Sequence, residues 1–480
     1  MGGFFDPMKH RFSRARTRLL WLVAVGFFMQ TLDATIVNTA LPAMAHSLQE
    51  SPLRMQSVVV SYSLAMAMLI PASGWLADRF GMRRTFLGAI VAFVLGSVLC
   101  ALSPTLDLLV ASRVLQGFGG ALLLPVGRLV ILRTFPRDEF LEAISFVAIP
   151  GLVGPLIGPT LGGWLVEVAS WHWIFLINVP VGVAGLVATL RYMPRGQRMP
   201  AGRFDLVGYA LLAFGMVALS LGLDGLSGLG LRQAGVLVLM VFGLAALAAY
   251  WLHAARSPRP LFSPRLFGID TVRIGLLGNL FARLGSGSMP FLVPLMLQLG
   301  LGYSPLYAGM MMLPVAIAGM AVKRAATPLI TRLGYRRVLV GNTFAVGVMM
   351  ASFALMTPQQ PLGVRIVQLA VFGAVNSLQF TAMNTVTLKD LGQALASSGN
   401  SLLSMVQMLA MGMGVAAAGA ALGAYTDFFG TGTSEQTLQA FQATFASMGL
   451  LTLAAAFIFS QLAHDEPTAA ATAKEPDLGA

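Results

Sequence analysis

The sequence predicts an all-α integral membrane protein: two six-helix bundles plus two extra helices, fourteen transmembrane spans, with both termini cytoplasmic. Three observations predict it. The 480 residues are 56% hydrophobic and only 10% charged, against about 25% charged in soluble domains. Fourteen stretches reach the roughly 20 mostly apolar residues that cross a bilayer. Short segments also recur at a common offset between the two ends of the chain.

The apolar stretches run over 19–44, 57–77, 85–103, 107–133, 141–168, 171–193, 204–224, 233–254, 272–298, 304–324, 337–356, 363–385, 397–424 and 440–462. The first is too long for a signal-peptide core and lacks a small-residue cleavage site, so it reads as an uncleaved span. Their even number puts both termini on one side. Every Lys and Arg except Arg54, Arg113, Arg232, Arg283 and Arg365 falls on that side or at the helix ends facing it. The positive-inside rule makes that side cytoplasmic. The net charge of +12 is therefore a topology signal and not the mark of a nucleic-acid partner.

Ser51-Pro52-Leu53 returns as Ser304-Pro305-Leu306, and Gly81-Met82-Arg83-Arg84 as Gly334-Tyr335-Arg336-Arg337, both 253 residues on. Arg113-x-x-Gln116 returns as Arg365-x-x-Gln368, 252 residues on. The division that follows is a basic N-terminus 1–18, a first six-helix bundle 19–193, two additional spans 204–254, a second bundle 272–462, and a disordered cytoplasmic tail 463–480. Two like halves place a substrate site between them near the midplane.

Two segments carry conformational chemistry. In span five, Gly154, Gly158 and Gly162 recur every four residues, making a smooth helix face, with Gly163 beside it. Pro155 and Pro159 each remove a backbone donor and bend the helix. A bent helix with such a face is a hinge or a sliding surface, and we expect it to pack on a helix of the other half. In the loop after span two, Gly74 permits close packing and Asp78 accepts from helix amides or an arginine. Gly81 makes the turn, and Arg79, Arg83 and Arg84 face cytoplasm and lipid phosphates.

This loop, Gly74-Trp75-Leu76-Ala77-Asp78-Arg79-Phe80-Gly81-Met82-Arg83-Arg84, resembles the signature loop of the major facilitator superfamily. The Gly-Pro segment resembles that superfamily's antiporter motif. Leu32-Asp33-Ala34-Thr35-Ile36-Val37-Asn38-Thr39-Ala40-Leu41-Pro42 resembles the first-span motif of its fourteen-span drug:proton antiporter branch. Arg113-Val114-Leu115-Gln116-Gly117-Phe118-Gly119-Gly120 and Trp171-His172-Trp173-Ile174-Phe175-Leu176-Ile177-Asn178-Val179-Pro180 are similar to further motifs of that branch. The resemblance covers about 19–462. His172 stands where the branch often has Arg, and Thr331 stands where a second Asp78 would fall. The resemblance implies the major facilitator fold and a monomer in the bacterial inner membrane. It also implies proton-driven export of drug-like or amphiphilic small molecules by alternating access, without a cofactor.

Charged groups within a bilayer are costly and mark function. Asp33 lies roughly 21 Å into span one at 1.5 Å per residue. Arg113 enters span four from the other side and reaches the same level of a ~30 Å core. An Asp33–Arg113 proton-coupling pair is thus allowed. The alternatives are a plain interhelical hydrogen bond for Asp33 and a structural anchor for Arg113. Arg283 in span nine holds an anionic substrate group, pairs with Asp33, or snorkels. Gln30, Asn38, Asn376, Gln379, Asn384, Asn400 and Gln407 line a wet cavity or bond helices together. An exporter of a specific organic anion or metal chelate, such as a citrate-type compound, is the second reading. Arg113 and Arg283 facing the cavity would favour it.

His10, His46, His172, His253 and His464 are too scattered for a metal site, and Cys100 reads as an inert buried thiol. No nucleophile–base spacing points to an enzyme. No loop is long enough for the soluble domain a sensor needs. The expected partners are the bilayer, protons and a small-molecule substrate.

Overall fold

A computed structural model of the chain describes residues 13–194, 202–225, 233–430 and 432–463. The basic segment 1–12 and the tail 464–480 lie outside the described residues. Among the described residues, fourteen helices are long and apolar enough to cross a membrane. They are α1 (Arg14–Thr39), α2 (Pro52–Phe80), α3 (Met82–Ala101), α4 (Leu106–Thr134), α5 (Glu142–Val168), α6 (Trp173–Tyr192) and α7 (Leu206–Leu223). Then follow α8 (Gly235–Arg256), α9 (Asp270–Gly300), α10 (Pro305–Leu333), α11 (Tyr335–Leu355), α12 (Leu362–Leu388), α13 (Leu395–Phe429) and α14 (Ser434–Phe459). No strand occurs among the described residues.

Two boundaries differ from the apolar pattern. The first span ends at Thr39 and is followed by a separate short helix, Leu41–Leu48. Pro42 explains the break, because its ring collides with the preceding turn and it donates no backbone bond. Span ten runs on through Lys323 and Arg324 to Leu333. Apolarity stops at those cations, but the backbone turns only at Gly334, with φ 79°. Gly81 ends α2 in the same way with φ 88°. Positive φ favours glycine, so the repeat seen in the sequence is also a repeat of turns.

Helix pairing builds two groups. In the first, α1 lies along α5, α3 along α4, and α2 against α4. In the second, α10 lies along α12, α11 along α14, and α9 against α13 and α14. At the end remote from the start of α1 the groups share one apolar core. There Val37, Leu41 and Met44 join Phe291, Leu295 and Ala308. At the end where α1 begins and α14 finishes, each has a core of its own, around Phe86 and Val130 in one and around Leu339 and Val386 in the other. Lipid is as apolar as these side chains, so close packing and hydrogen bonds hold such interfaces more than exclusion from water does.

The two groups also meet along α2 and α13. The α7–α8 hairpin lies across that seam. Leu212 and Met216 of α7 pack with Ala67 of α2 and with Leu402, Leu403 and Met405 of α13. The hairpin is fastened at its base. Tyr250 donates to the Phe262 carbonyl at 3.2 Å and accepts from the Phe262 amide at 2.9 Å. Asp205 accepts from the Gly208 amide at 2.9 Å and the Leu261 amide at 3.1 Å, and it meets His253 Nε2 at 2.7 Å. Trp75, near the end of α2, donates to the Gly202 carbonyl at 3.0 Å.

Candidate functional site

Asp33 and Arg113 are the most deeply buried ions described, 0% and 1% exposed. A lone ion in such a place costs several kcal/mol, and each supplies the other's counter-charge. Arg113 Nη1 donates to Asp33 Oδ2 at 2.6 Å and to Gln116 Oε1 at 2.6 Å. Its Nε donates to the Val58 carbonyl at 3.2 Å. Its guanidinium lies 4.1 Å from the Tyr62 ring centroid. Asp33 Oδ1 accepts from Gln116 Nε2 at 2.8 Å and Asn178 Nδ2 at 3.1 Å. Gln116 also donates to Ser97 Oγ at 2.8 Å. Five helices of the first group, α1, α2, α3, α4 and α6, thus join in one network, in which α4 and α6 bond the carboxylate of α1 directly.

Gln116 and Asn178 lie within motifs of the sequence that do not by themselves mark them as partners of Asp33. The available signal was spacing, because Arg113 and Gln116 are three apart and so share a helix face. The second copy differs. Arg365 reaches the Tyr303 hydroxyl and the carbonyls of Thr357 and Pro358. The residue 253 positions after Asp33 is Ser286, which carries no charge. The repeated Arg-x-x-Gln is therefore bonded to neutral groups in the second half.

Arg283 does not pair with Asp33. Its Nε donates to Asn279 Oδ1 at 3.4 Å and its guanidinium stacks 4.6 Å from the Phe380 centroid. No carboxylate pairs with it among the described residues. Gln407 also donates to Asn279 Oδ1, at 3.2 Å, and to Asn384 Oδ1. Arg283, Asn279, Asn384 and Gln407 therefore form one polar cluster on α9, α12 and α13. Gln379 is elsewhere. It bonds Thr343 at 2.6 Å and Asn342 at 2.8 Å, inside the second group, which is the interhelical alternative. Asn376 and Asn400 are half-buried on α12 and α13. Gln30 and Asn38 are buried on α1, and neither side-chain oxygen has a hydrogen-bond partner there. No group of three metal-binding side chains occurs among the described residues, and Cys100 is a buried free thiol.

The glycine face of α5 packs within its own half, contrary to the expectation that it meets the other. Gly154 faces Thr31 and Leu32, Gly158 faces Thr35 and Ile36, and Gly162 faces Ile36 and Thr39, all on α1. A Cβ on Gly154 would stand 2.8 Å from the Leu32 amide nitrogen. Spacing reveals a smooth face but not its partner, and α1 carries small threonines on the side turned to it. Pro159 lies next to this contact, its carbonyl accepting from Thr39 Oγ1 at 3.2 Å. Gly163 does meet the second half, where a Cβ would lie 2.7 Å from Leu306 Cα. Hydrogen bonds that join the halves lie at this end: Thr160 to the Gly309 carbonyl at 3.2 Å, the Leu306 amide to Glu167 at 2.9 Å, and Gln298 to the Thr39 carbonyl at 3.0 Å.

Asp78, expected in a loop, falls in the last turn of α2 and accepts from Arg133 Nη2 at 2.6 Å, tying the ends of α2 and α4. Both side chains are about one-third exposed, so the bond is worth about 0–1 kcal/mol. Gly74 packs against nothing: no atom lies within 4 Å of a Cβ built there. This corrects the expected close packing, since the end of α2 is held instead by Thr85 donating to Leu76 O at 3.1 Å and by Asp78. Arg83 reaches the Leu190 carbonyl, while Arg79 and Arg84 are exposed. Thr331, in the second copy, bonds only its own helix, at Thr327 and Pro328.

Two helical groups around a midline, with polar clusters inside them, define a membrane carrier. The family model of the Major Facilitator Superfamily matches residues 23–415, and the chain belongs to that superfamily. It is a transporter and not an enzyme. Within the superfamily it is similar to proteins provisionally named multidrug resistance protein MdtD. It is 52% identical to that of Serratia proteamaculans over 96% of each chain. It is 50% identical to that of Escherichia coli strain 55989 over 93% of this chain and 94% of the other. These relatives come from Gram-negative bacteria, and the chain is a multi-pass inner-membrane protein. Solved structures share the fold at low identity. A POT family transporter in complex with 5-aminolevulinic acid has TM-score 0.68 at 16% identity, covering 95% of this chain and 96% of the other. A D-xylose-proton symporter has TM-score 0.67 at 13% identity, covering 93% and 97%.

Proposed function

We propose that the protein is a proton-coupled antiporter that exports drug-like or amphiphilic small molecules from the cytoplasm by alternating access. The termini lie on the cytoplasmic side, and residues 19–193 and 272–462 are the two halves that rock. The observation that carries this reading is Asp33, a carboxylate fully buried within a spanning helix against Arg113, Gln116 and Asn178. Protonation would remove the charge that holds Arg113, and the network would rearrange. Each proton entering down 100 mV carries about 2.3 kcal/mol, which drives export. Asp33 and the threonines facing α5 lie on opposite sides of α1, and the far end of α5 touches α10. This is a continuous packed route from the proton site to the contact between halves. The relatives' names support a drug-like cargo.

Arg283 favours a second reading, a specific organic anion or metal chelate as cargo, because its charge has no carboxylate partner among the described residues. Proteoliposome transport with an imposed pH gradient tests both. Cationic dyes and citrate-like anions are each presented to wild type, Asp33→Asn and Arg283→Gln. Asp33→Asn should abolish gradient-driven export while the protein remains monodisperse, and full coupled export by it would refute proton coupling there. Loss of anion transport in Arg283→Gln would select the second cargo.

A further inference from the structure

One aromatic side chain of the second half is exposed on the wrong side of its helix. Val364, Val367, Val371 and Thr385 of α12 are exposed and fall within about 60° of one another around the helix. They mark the side turned to lipid. Phe380 comes two and a half turns after Val371, so it points the opposite way. It is still 41% exposed. Its neighbours place it inside the molecule. The Arg283 guanidinium of α9 lies 4.6 Å from its ring centroid. Asn376 and Asn384, about one turn to either side, share its face, and Asn384 Oδ1 accepts from Gln407 of α13.

This face holds unused bonding capacity. Arg283 donates through Nε to Asn279, and neither of its terminal nitrogens has a protein partner among the described residues. The Asn384 amide nitrogen and the whole Asn376 side chain are likewise without a hydrogen-bond partner there. A phenyl ring attracts a guanidinium but does not cancel its charge. Asp33 is the one carboxylate buried within a spanning helix among the described residues, and Arg113 holds it. The charge of Arg283 is therefore open to a ligand. A small aliphatic acid would meet that charge and leave Phe380 wet.

We propose that this face binds a planar aromatic carboxylate. The carboxylate takes the terminal nitrogens of Arg283 in the paired geometry that a guanidinium offers. The ring covers the open side of Phe380. Oxygen substituents on the ring accept from the amides of Asn376 and Asn384. This rests on the reading of the protein as a carrier of organic anions, and it names the class of anion. Phe380 then selects the cargo. The repeat supplies no second copy. Gln30 stands 253 residues before Arg283, and Arg128 stands 252 before Phe380, so the first half lacks the ring. One ligand per chain follows.

Isothermal titration calorimetry of the full chain in detergent, with no proton gradient, tests this. The probes are 2-naphthoate, citrate and 2-naphthylmethylammonium. Wild type should bind one naphthoate, more tightly than either other probe. Phe380→Leu should weaken naphthoate about fivefold, equivalent to about 1 kcal/mol and the size of an aromatic pair, and leave citrate unchanged. Arg283→Gln should weaken naphthoate more than Phe380→Leu does. Arg283→Lys keeps the charge without the planar fork and should recover only part of that loss. Naphthoate binding by monodisperse Phe380→Leu equal to wild type would overturn the proposal. So would no naphthoate binding by wild type, or citrate or the ammonium bound as tightly as naphthoate. These outcomes are independent of proton coupling, which gradient-driven export by wild type and Asp33→Asn reads separately.

Discussion

Asp33 shows how far a single residue can be read. A charge deep in an apolar run is legible because its cost demands a partner, and the matching depth of Arg113 supplied one. Gln116 and Asn178 were not legible as partners, since carboxamides occur throughout these helices and bond almost anything. Gln379 shows the converse: a polar residue in a cavity-lining span that is bonded inside its own bundle. Asp205 offers a residue-scale prediction outside the membrane. Burial opposes its ionisation, but donors from Gly208, His253 and Leu261 outweigh burial and hold its pKa below the usual 3.8. A depressed carboxylate stabilises the fold above its ordinary pKa and loses that contribution as pH falls through its folded value. We therefore expect the thermal unfolding midpoint to drop as pH falls below about 4, and Asp205→Asn to flatten that drop. At neutral pH, Asp205→Ala should cost about 1–3 kcal/mol by orphaning two amides. A wild-type midpoint independent of pH across that range would contradict the account.

At the scale of the helix, the α5 motif divides its work. Gly154, Gly158 and Gly162 seat α5 on the helix that carries Asp33, and Gly163 touches the second half. The period was legible and the partner was not, because a face without side chains fits any helix that comes close. The ends of α2 and α10 were harder to read for another reason: their last turns carry charge, so apolarity stops before the backbone does. The contrast between two motif glycines is testable by thermal unfolding in detergent. Gly158→Val drives side-chain atoms into Thr35 and should cost about 1–3 kcal/mol, the usual range for overpacking. Gly74→Ala enters open space and should leave the midpoint unchanged. Equal effects of the two would show that the α1–α5 seat is not a close contact.

Across the whole molecule, the halves share the core built on Val37, Leu41 and Phe291 at one end, and elsewhere meet along α2 and α13. The fourteen spans and the repeat were legible because bilayer thickness fixes span length and because the turns at Gly81 and Gly334 need the same backbone. Which end is joined was not legible, since it depends on contacts between segments far apart in sequence. Glu167 and Leu306 hold that end across α5 and α10. Cysteines at both positions, joined by oxidation, should stop transport, and reduction should restore it. Transport at the wild-type rate with the cross-link intact would exclude rocking about this contact.

The α7–α8 hairpin gives the carrier a sidedness in the plane of the membrane. One long edge, where α2 meets α13, is panelled over by α7 and α8 and tied down through Trp75 and Asp205. The opposite edge, between α5 and α10, has no such cover among the described residues. Seen from the surrounding lipid, the molecule therefore has one panelled flank and one bare flank.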